Sequence, residues 1–293
     1  MRTKGTRRSP ILTKHDVPIA RLTTFQNEGV VPHVHILDSE ADLVLLADIA
    51  TPYFVLGKGS NTVINPHGKY KTFVQVSPDY QPPVATGTIV HVGAGIGVKA
   101  FLDFCIAQGL SGLEFAAGVP ASIGGMTVMN FGCWGAEMAD YITDVLLWQP
   151  DQGCRWLPKT DMLFGYRSSI VQSLPGSIVL SVKLQLRTEN SDTIRERVLQ
   201  YVKSRNEKQP IREKTFGSTF KNPSGHFAAA LIESVGLKGQ QFGGVKISDK
   251  HANFLVNTGA ATFADLTTCL RTAQEKVQET HHVSLALEVK LAS

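Results

Sequence analysis

The sequence predicts an α+β protein in two unequal parts, on three observations. Short β-like runs and glycines crowd the first two thirds of the 293 residues, apolar residues at three-four spacing mark the last third, and the closing segment alternates apolar with polar side chains. In chain order, residues 53–56, 72–76 and 88–92 read as strands, 98–108 as a helix stopped by Gly109, and 141–148 and 178–186 as further strands. In the last of these, Ile178, Leu180, Val182, Leu184 and Leu186 share one face, opposite Val179, Ser181, Lys183 and Gln185. A boundary falls at residues 188–192, beyond which Ser191 can cap a helix reaching Asn206 with Ile194, Val198, Tyr201 and Val202 on one stripe. A short helix at 227–235 and a strand at 252–257 follow. A longer helix starts at Thr262, carries Phe263, Leu266, Leu270, Ala273 and Val277 on one side, and ends at 278–280. Residues 283–291 close the chain as a strand, with Val283, Leu285, Leu287, Val289 and Leu291 on one face and Ser284, Ala286, Glu288 and Lys290 on the other. Glu288 therefore points away from that strand's core, either as a solvated carboxylate or as one aimed into a cleft.

A composition of 43% hydrophobic and 18% charged residues is that of a well-cored globular protein. The net charge is +4, and Arg2, Lys4, Arg7 and Arg8 account for all of it. Residues 1–14 are thus expected as a basic, disordered tail on a neutral body, which argues against a nucleic-acid partner. Cys105, Cys133, Cys154 and Cys269 show no C-x-x-C or Cys/His ligand spacing, and no apolar segment follows the basic start. A cytoplasmic protein with reduced thiols and no metal site is expected. No apolar run approaches the roughly 18 residues that a membrane helix requires, and nothing points to an obligate protein partner.

Chemistry is expected at Gly217-Ser218-Thr219-Phe220-Lys221-Asn222-Pro223, where a hydroxyl, an ammonium and a carboxamide stand between a glycine and a proline. Gly217 permits an unusual dihedral and Pro223 forces Asn222 out of the helical region, so the run is an ordered turn, whether it presents ligand groups or merely solvated ones. Three glycine-bearing segments are candidate cofactor cradles. The first, Gly57-Lys58-Gly59-Ser60-Asn61-Thr62, leaves a strand but lacks the spacing of a phosphate-binding P-loop. The second, Gly93-Ala94-Gly95-Ile96-Gly97, misses the dinucleotide fingerprint because Val98 stands where its third glycine belongs. The third runs through Gly118-Val119-Pro120-Ala121-Ser122-Ile123-Gly124-Gly125 to Asn130, Gly132 and Gly135, small residues that let backbone approach a flat or anionic ligand or simply join short strands.

Together and in this order, these segments resemble the UDP-N-acetylenolpyruvoylglucosamine reductase family. The resemblance also rests on Gly112-Leu113-Glu114-Phe115, Tyr166-Arg167-Ser168-Ser169, Leu231-Ile232-Glu233, Gly236-Leu237-Lys238-Gly239, Gly243-Gly244, Lys250-His251-Ala252-Asn253-Phe254 and Glu288-Val289, and covers the chain from about residue 50 onward. It implies an FAD-binding region of the vanillyl-alcohol-oxidase type made of two α+β subdomains, over residues 15–190, and a smaller α+β substrate domain over 191–293. It further implies non-covalent FAD across residues 57–62 and 118–135, NADPH as co-substrate, and reduction of UDP-N-acetylglucosamine enolpyruvate for peptidoglycan synthesis. By the same resemblance Ser218 is the proton donor, Arg167 holds the substrate carboxylate, Glu288 stabilises the enolic intermediate, and Tyr166, Lys221 and Asn222 contact the substrate. Lys250 and His251 are read as a turn.

The chain departs from the family pattern in places. Ala121 replaces a second glycine, Trp134 a common tyrosine, and Leu287 a frequent proline, while the usual glycine-rich continuation after Thr23-Thr24-Phe25 is missing. The short interval between Arg167 and Ser218 has no obvious covering loop, so the chain is read as the shorter of two types with a more open UDP site. Two alternatives stand beside this one: another flavin oxidase of the same superfamily, and a nucleotide-sugar or flavin-binding protein without activity.

Overall fold

A computed structural model describes residues 11–47, 49 and 52–293. Its first subdomain is a four-stranded sheet in the order Leu12–Pro18, Val30–Leu37, Thr72–Val76, Tyr53–Val55. The first pair is antiparallel and the others are parallel. Residues 1–10 of the expected tail lie outside the described residues, and the tail gives way to strand at Leu12. Strands Leu12–Pro18 and Val30–Leu37, with helix α1 (Glu40–Ala47), have no counterpart in the sequence reading. The cause is visible in Val30–Leu37, where Val31, Val34 and Leu37 are buried at intervals of three and Pro32 interrupts the run, so no alternation marks the strand.

The second subdomain is a five-stranded antiparallel sheet, ordered Gly153–Pro158, Ile142–Gln149, Ile178–Gln185, Ile89–Gly93, Val84–Thr86. Helices α2 (Val98–Gln108) and α3 (Ile123–Val128) cover one face around Phe101, Phe115, Ile123, Met126, Leu147 and Val182. Gly109 ends α2 in a left-handed conformation at φ 62°. The simple alternation expected for 178–186 is broken by a bulge that skips Leu180 between the Leu146–Ser181 and Leu147–Val179 pairs. Ile178 and Leu180 consequently face a core shared with the first sheet, through Leu37, Val74 and Trp148, whereas Val179, Val182 and Leu184 face the helices.

Helix α4 spans Ser191–Lys208 and is capped by Asn190, not Ser191: Asn190 Oδ1 accepts the Asp192 and Thr193 amides at 2.8 and 3.3 Å. Ser191 instead donates to the Ile106 carbonyl at 2.6 Å. Val198, Tyr201 and Val202 pack on the second subdomain, and buried Arg205 donates to the carbonyls of Ala117 and Phe115 at 2.8 and 3.0 Å. By packing, then, the chain divides after Lys208 rather than at 190/191.

The C-terminal part is a four-stranded antiparallel sheet, Thr215–Ser218, Phe254–Asn257, Val245–Ile247, Gln241–Phe242, backed by α5 (Ala228–Ser234) and α6 (Phe263–His281). A capping box starts α6, with Thr262 Oγ1 accepting the Asp265 amide at 3.0 Å and Asp265 accepting the Thr262 amide at 3.1 Å. Its core gathers Phe216, Phe220, Ile232, Val245, Leu266, Leu270 and Val277, and takes in Phe25 and Val63 from the first subdomain. The apolar face expected for 283–291 packs on this core through Val283, Leu285, Leu287, Val289 and Leu291, but not as one continuous strand. Only Lys290–Ala292 forms a ladder, parallel to Thr62–Ile64 of the first subdomain, and Leu287 bridges Phe220. The closing segment therefore leaves one core and enters another, and Glu288 lies at the crossing. No described helix is long and apolar enough to cross a membrane.

Gly59 sets the approach of the first glycine loop. It sits at φ 64°, its carbonyl accepts the Thr24 amide at 3.1 Å, and a Cβ there would lie 2.0 Å from the Leu22 carbonyl oxygen. Gly59→Ala is expected to destabilise the protein by about 2–4 kcal/mol, because left-handed backbone strain and a backbone clash add. Urea unfolding at constant m-value checks this; a loss under about 0.5 kcal/mol refutes it.

Candidate active site

Three chain segments meet at the junction of the two halves. The first is a two-residue turn closed by reciprocal backbone hydrogen bonds between Gly165 and Ser168, both 3.1 Å, with Tyr166 and Arg167 at its tip. Arg167 adopts φ 55°, a conformation that costs a non-glycine residue about 1 kcal/mol or more and persists only where neighbours enforce it. The turn aims the guanidinium inward, where Nε donates to Glu288 Oε1 at 2.8 Å and an Nη donates to the Gly132 carbonyl at 2.8 Å. The cation also lies over the rings of Tyr166 and Phe131, 5.2 and 5.6 Å from their centroids.

The second segment is the terminal one. Thr219 O accepts the Glu288 amide at 2.9 Å, and Asn61 donates to the Glu288 carbonyl at 3.1 Å. Glu288 is thus fixed by the loop holding Ser218 and by the first glycine loop at once. Side chains of Arg167 and Glu288 are 16% and 13% exposed, so the pair is largely desolvated. Burial pushes the Glu288 carboxyl above the ordinary carboxylate range, while the adjacent Arg167 and the nearby Lys221 ammonium pull it back. Its charge state is poised by opposing effects. An acid held this way retains its proton to higher pH than a surface glutamate.

The third segment is the polar loop singled out in the sequence. Gly217 turns it at φ 83° and faces the Ser60 carbonyl, bringing the partly exposed Ser218 beside the 57–62 loop. Buried Asn253 locks the loop from beneath, exchanging side-chain hydrogen bonds with the Phe220 amide and carbonyl at 2.9 and 2.8 Å. Lys221 is half-buried and within Coulombic reach of Glu288. Asn222 uses its side-chain oxygen to accept the Ala228 amide at 3.0 Å at the start of α5, which leaves its NH₂ group free of that bond. The Asn222 backbone N–H donates to the Tyr166 hydroxyl at 3.3 Å, tying this loop to the Arg167 turn.

The glycine segments converge on the same place. Gly57 faces Gly125 across Ser122: a Cβ at Gly57 would come 2.8 Å from Ser122 Oγ and 3.7 Å from Gly125 Cα. Ser122 Oγ accepts the Gly125 amide at 3.3 Å, and Gly57 and Lys58 are exposed beside it; Gly118, Pro120 and Gly135 are exposed too. Bare backbone and small side chains there suit a flat, phosphate-bearing cofactor. Two residues assigned to the cofactor do other work. Asn130 is fully buried and spends its carboxamide on the Gly165 carbonyl and the Ala139 amide, both 3.0 Å, so it holds the Arg167 turn. Thr62 is buried in the ladder with Lys290. Lys250 and His251 form the turn before Phe254–Asn257, as expected, and His251 stacks edge-on against Phe254. The sequence reading missed Gln172 and Asn253 as organisers of the site. Asn253 lay inside a quoted motif, whereas nothing in spacing marks Gln172.

Comparison with known proteins identifies the family. A family profile described as UDP-N-acetylenolpyruvoylglucosamine reductase, C-terminal domain, matches residues 209–292, and one described as FAD binding domain matches residues 32–154. A UDP-N-acetylenolpyruvoylglucosamine reductase of Caldanaerobacter subterraneus subsp. tengcongensis is 34% identical over 278 residues, 94% of this chain and 91% of the relative. One of Alkaliphilus oremlandii is 33% identical over 281 residues, 94% and 92% of the two chains. The crystal structure of UDP-N-acetylenolpyruvylglucosamine reductase from Thermus caldophilus superimposes with a TM-score of 0.82 at 32% identity, over 97% of this chain and 99% of that one. With an FAD-binding region, a C-terminal domain of the reductase type and similarity along nearly its whole length, the chain belongs to the UDP-N-acetylenolpyruvoylglucosamine reductase family.

Proposed function

We propose that the protein reduces the enolpyruvyl ether of UDP-N-acetylglucosamine enolpyruvate to the lactyl ether of UDP-N-acetylmuramate, with FAD as cofactor and NADPH as reductant, in cytoplasmic peptidoglycan precursor synthesis. The observation that carries this reading is the desolvated Arg167–Glu288 pair beside the Ser218 loop, next to the glycine cradle. Residues 57–61 and 118–125 would hold FAD, chiefly through backbone amides with Ser60, Asn61 and Ser122, and when bound it supplies a hydride to the terminal vinyl carbon.

The chain's own residues manage the charge and the proton. Hydride addition leaves negative charge on the carbon next to the carboxylate, delocalised as an enolate. Arg167 offers a fixed cation and a planar fork to that carboxylate, stabilising charge as it develops. Glu288 keeps the guanidinium oriented and, because burial favours its protonated form, can hydrogen-bond the enolate oxygen. Ser218 then gives its hydroxyl proton to the carbon, which is basic enough to take it from an alcohol held in place. Lys221 and the Asn222 NH₂ group face the diphosphate, and Tyr166 closes that side. The short Arg167–Ser218 interval leaves the nucleotide end open.

Anaerobic titration tests this directly. NADPH is expected to bleach the yellow protein, and UDP-N-acetylglucosamine enolpyruvate to restore the oxidised spectrum in one equivalent. A reduced flavin left unchanged by that substrate, yet reoxidised by an α-keto acid, would place the protein among other flavin oxidoreductases.

A further inference from the structure

Arg167 is held by the terminal segment at its side chain and by Gln172 at its backbone. Its guanidinium meets Glu288, and its backbone carbonyl accepts from Gln172 Nε2 at 3.1 Å. The same Nε2 donates to the Val128 carbonyl at 3.0 Å, with Met129 Sδ at 3.7 Å, while Gln172 Oε1 accepts from Lys290 Nζ at 2.8 Å. Carbonyls on one side and an ammonium on the other fix which way the carboxamide points. Glu288 and Lys290 are two residues apart in the closing segment, joined through a bend at Val289. The contacts close a ring: Arg167 side chain, Glu288, Lys290, Gln172, Arg167 carbonyl. Lys290 is half-buried beside Lys221, and both burial and that neighbouring charge lower its pKa, so its ammonium is held in place at a cost in hydration.

We propose that Gln172 and Lys290 are positioning residues for the reaction, a clamp that holds the Arg167 turn in its left-handed conformation and against the C-terminal end of α3. The proposal rests on the reductase reading of the site. Neither residue touches the reacting atoms. Each acts through Arg167: without the carboxamide the turn keeps its Gly165–Ser168 closure and its Asn130 anchor but loses the hold on the Arg167 carbonyl, which lets the guanidinium shift from Glu288 and from the carboxylate it is to bind. A further consequence is coupling, since the Val128 carbonyl also accepts from Ser169 Oγ at 2.8 Å. The Arg167 turn and the helix that carries Gly124 and Gly125 are thereby joined at the Val128 carbonyl.

The test uses the FAD-loaded protein and the variants Gln172→Ala, Lys290→Met and Lys290→Arg. For the first two, kcat is expected to fall about tenfold or more with KM within about twofold, since misplacement of an oriented group penalises the transition state. The second readout needs no turnover: a ¹³C titration of the Glu288 carboxyl in substrate-free protein, assigned with Glu288→Gln. Loosening Arg167 removes an interaction that favours the carboxylate, so the Glu288 titration is expected to move to higher pH in Gln172→Ala and Lys290→Met. Lys290→Arg, which keeps a cationic donor, is expected to titrate as the parent does. Unchanged flavin content and melting temperature identify folded variants, and Lys290→Met reads the same ring from its solvent side if Gln172→Ala does not fold. A Glu288 titration that stays put in folded Lys290→Met overturns the clamp, whatever happens to turnover. A titration that moves in a protein unable to reduce the enolpyruvyl substrate sinks the proposed function and leaves the clamp standing.

Discussion

Ser218→Ala is expected to lose about 10²- to 10⁴-fold in the reoxidation of reduced flavin by substrate, while flavin reduction by NADPH stays within about threefold of the parent. The split follows from where the hydroxyl sits and what it does. Ser218 follows the Gly217 turn, and its neighbour Thr219 supplies the carbonyl that fixes the Glu288 amide. Removing one oxygen from a partly exposed side chain leaves Gly217, Thr219 and the Asn253 lock intact, so the loop keeps its shape. On the proposed mechanism, what disappears is the proton that must reach carbon after hydride addition, a step absent from the NADPH half-reaction. Anaerobic stopped-flow absorbance resolves the two phases. Equal damage to both would mean that Ser218 shapes the pocket rather than donates, and Ser218→Cys recovering part of the second phase would support proton transfer.

Arg167→Lys is expected to cost about 10²- to 10³-fold in kcat/KM, the loss found when an oriented donor to a developing negative charge is removed. Charge alone does not replace the fork. Arg167 donates to Glu288 and to the Gly132 carbonyl in two directions from one plane, and its cation rests over Phe131 and Tyr166. A lysine can satisfy one of these geometries at a time. The change also reaches Glu288, whose carboxyl is pushed up by burial and restrained by Arg167. Weaker restraint raises it further, so any pH limb of turnover that reports deprotonation of Glu288 is expected to move to higher pH in the variant. Steady-state pH profiles measure both effects; a kcat/KM within about threefold of the parent would exclude Arg167 from transition-state stabilisation.

The parts of the site that were legible in the sequence are those where one residue type does something others cannot. Gly217, a serine beside it, an arginine beside a tyrosine and a terminal glutamate opposite an apolar face all carry chemical or conformational information by themselves. Helices α2 and α6 were equally plain, because Gly109 and the Thr262–Asp265 box punctuate a regular stripe. What stayed hidden depends on partners distant in sequence. Strands Leu12–Pro18 and Val30–Leu37 bury residues in a pattern fixed by their neighbours rather than by alternation. The bulge at Leu180 is invisible without the opposing Leu146 and Leu147. Asn190 outcompeted Ser191 as the cap of α4 because the serine hydroxyl was drawn to Ile106 on α2. Asn130 looked like a ligand group, and only the fold shows that Gly165 and Ala139 already occupy it. Gln172 is an unremarkable polar residue until the Arg167 turn, the end of α3 and Lys290 arrive around it.

Phe25 belongs by sequence to the first subdomain and by packing to the core of the other half. Its ring lies 5.0 Å from that of Phe216, its carbonyl accepts from buried Asn257 at 2.9 Å, and the preceding Thr24 donates to the Thr215 carbonyl at 2.6 Å. The C-terminal part is for this reason not a transplantable module. Grafted onto another flavoprotein, it would arrive with a phenylalanine-sized hole beneath the loop that carries Ser218. A crossover between distant relatives that separates the early aromatic from the late loop would open that hole, unless the incoming half brings an aromatic of the same size.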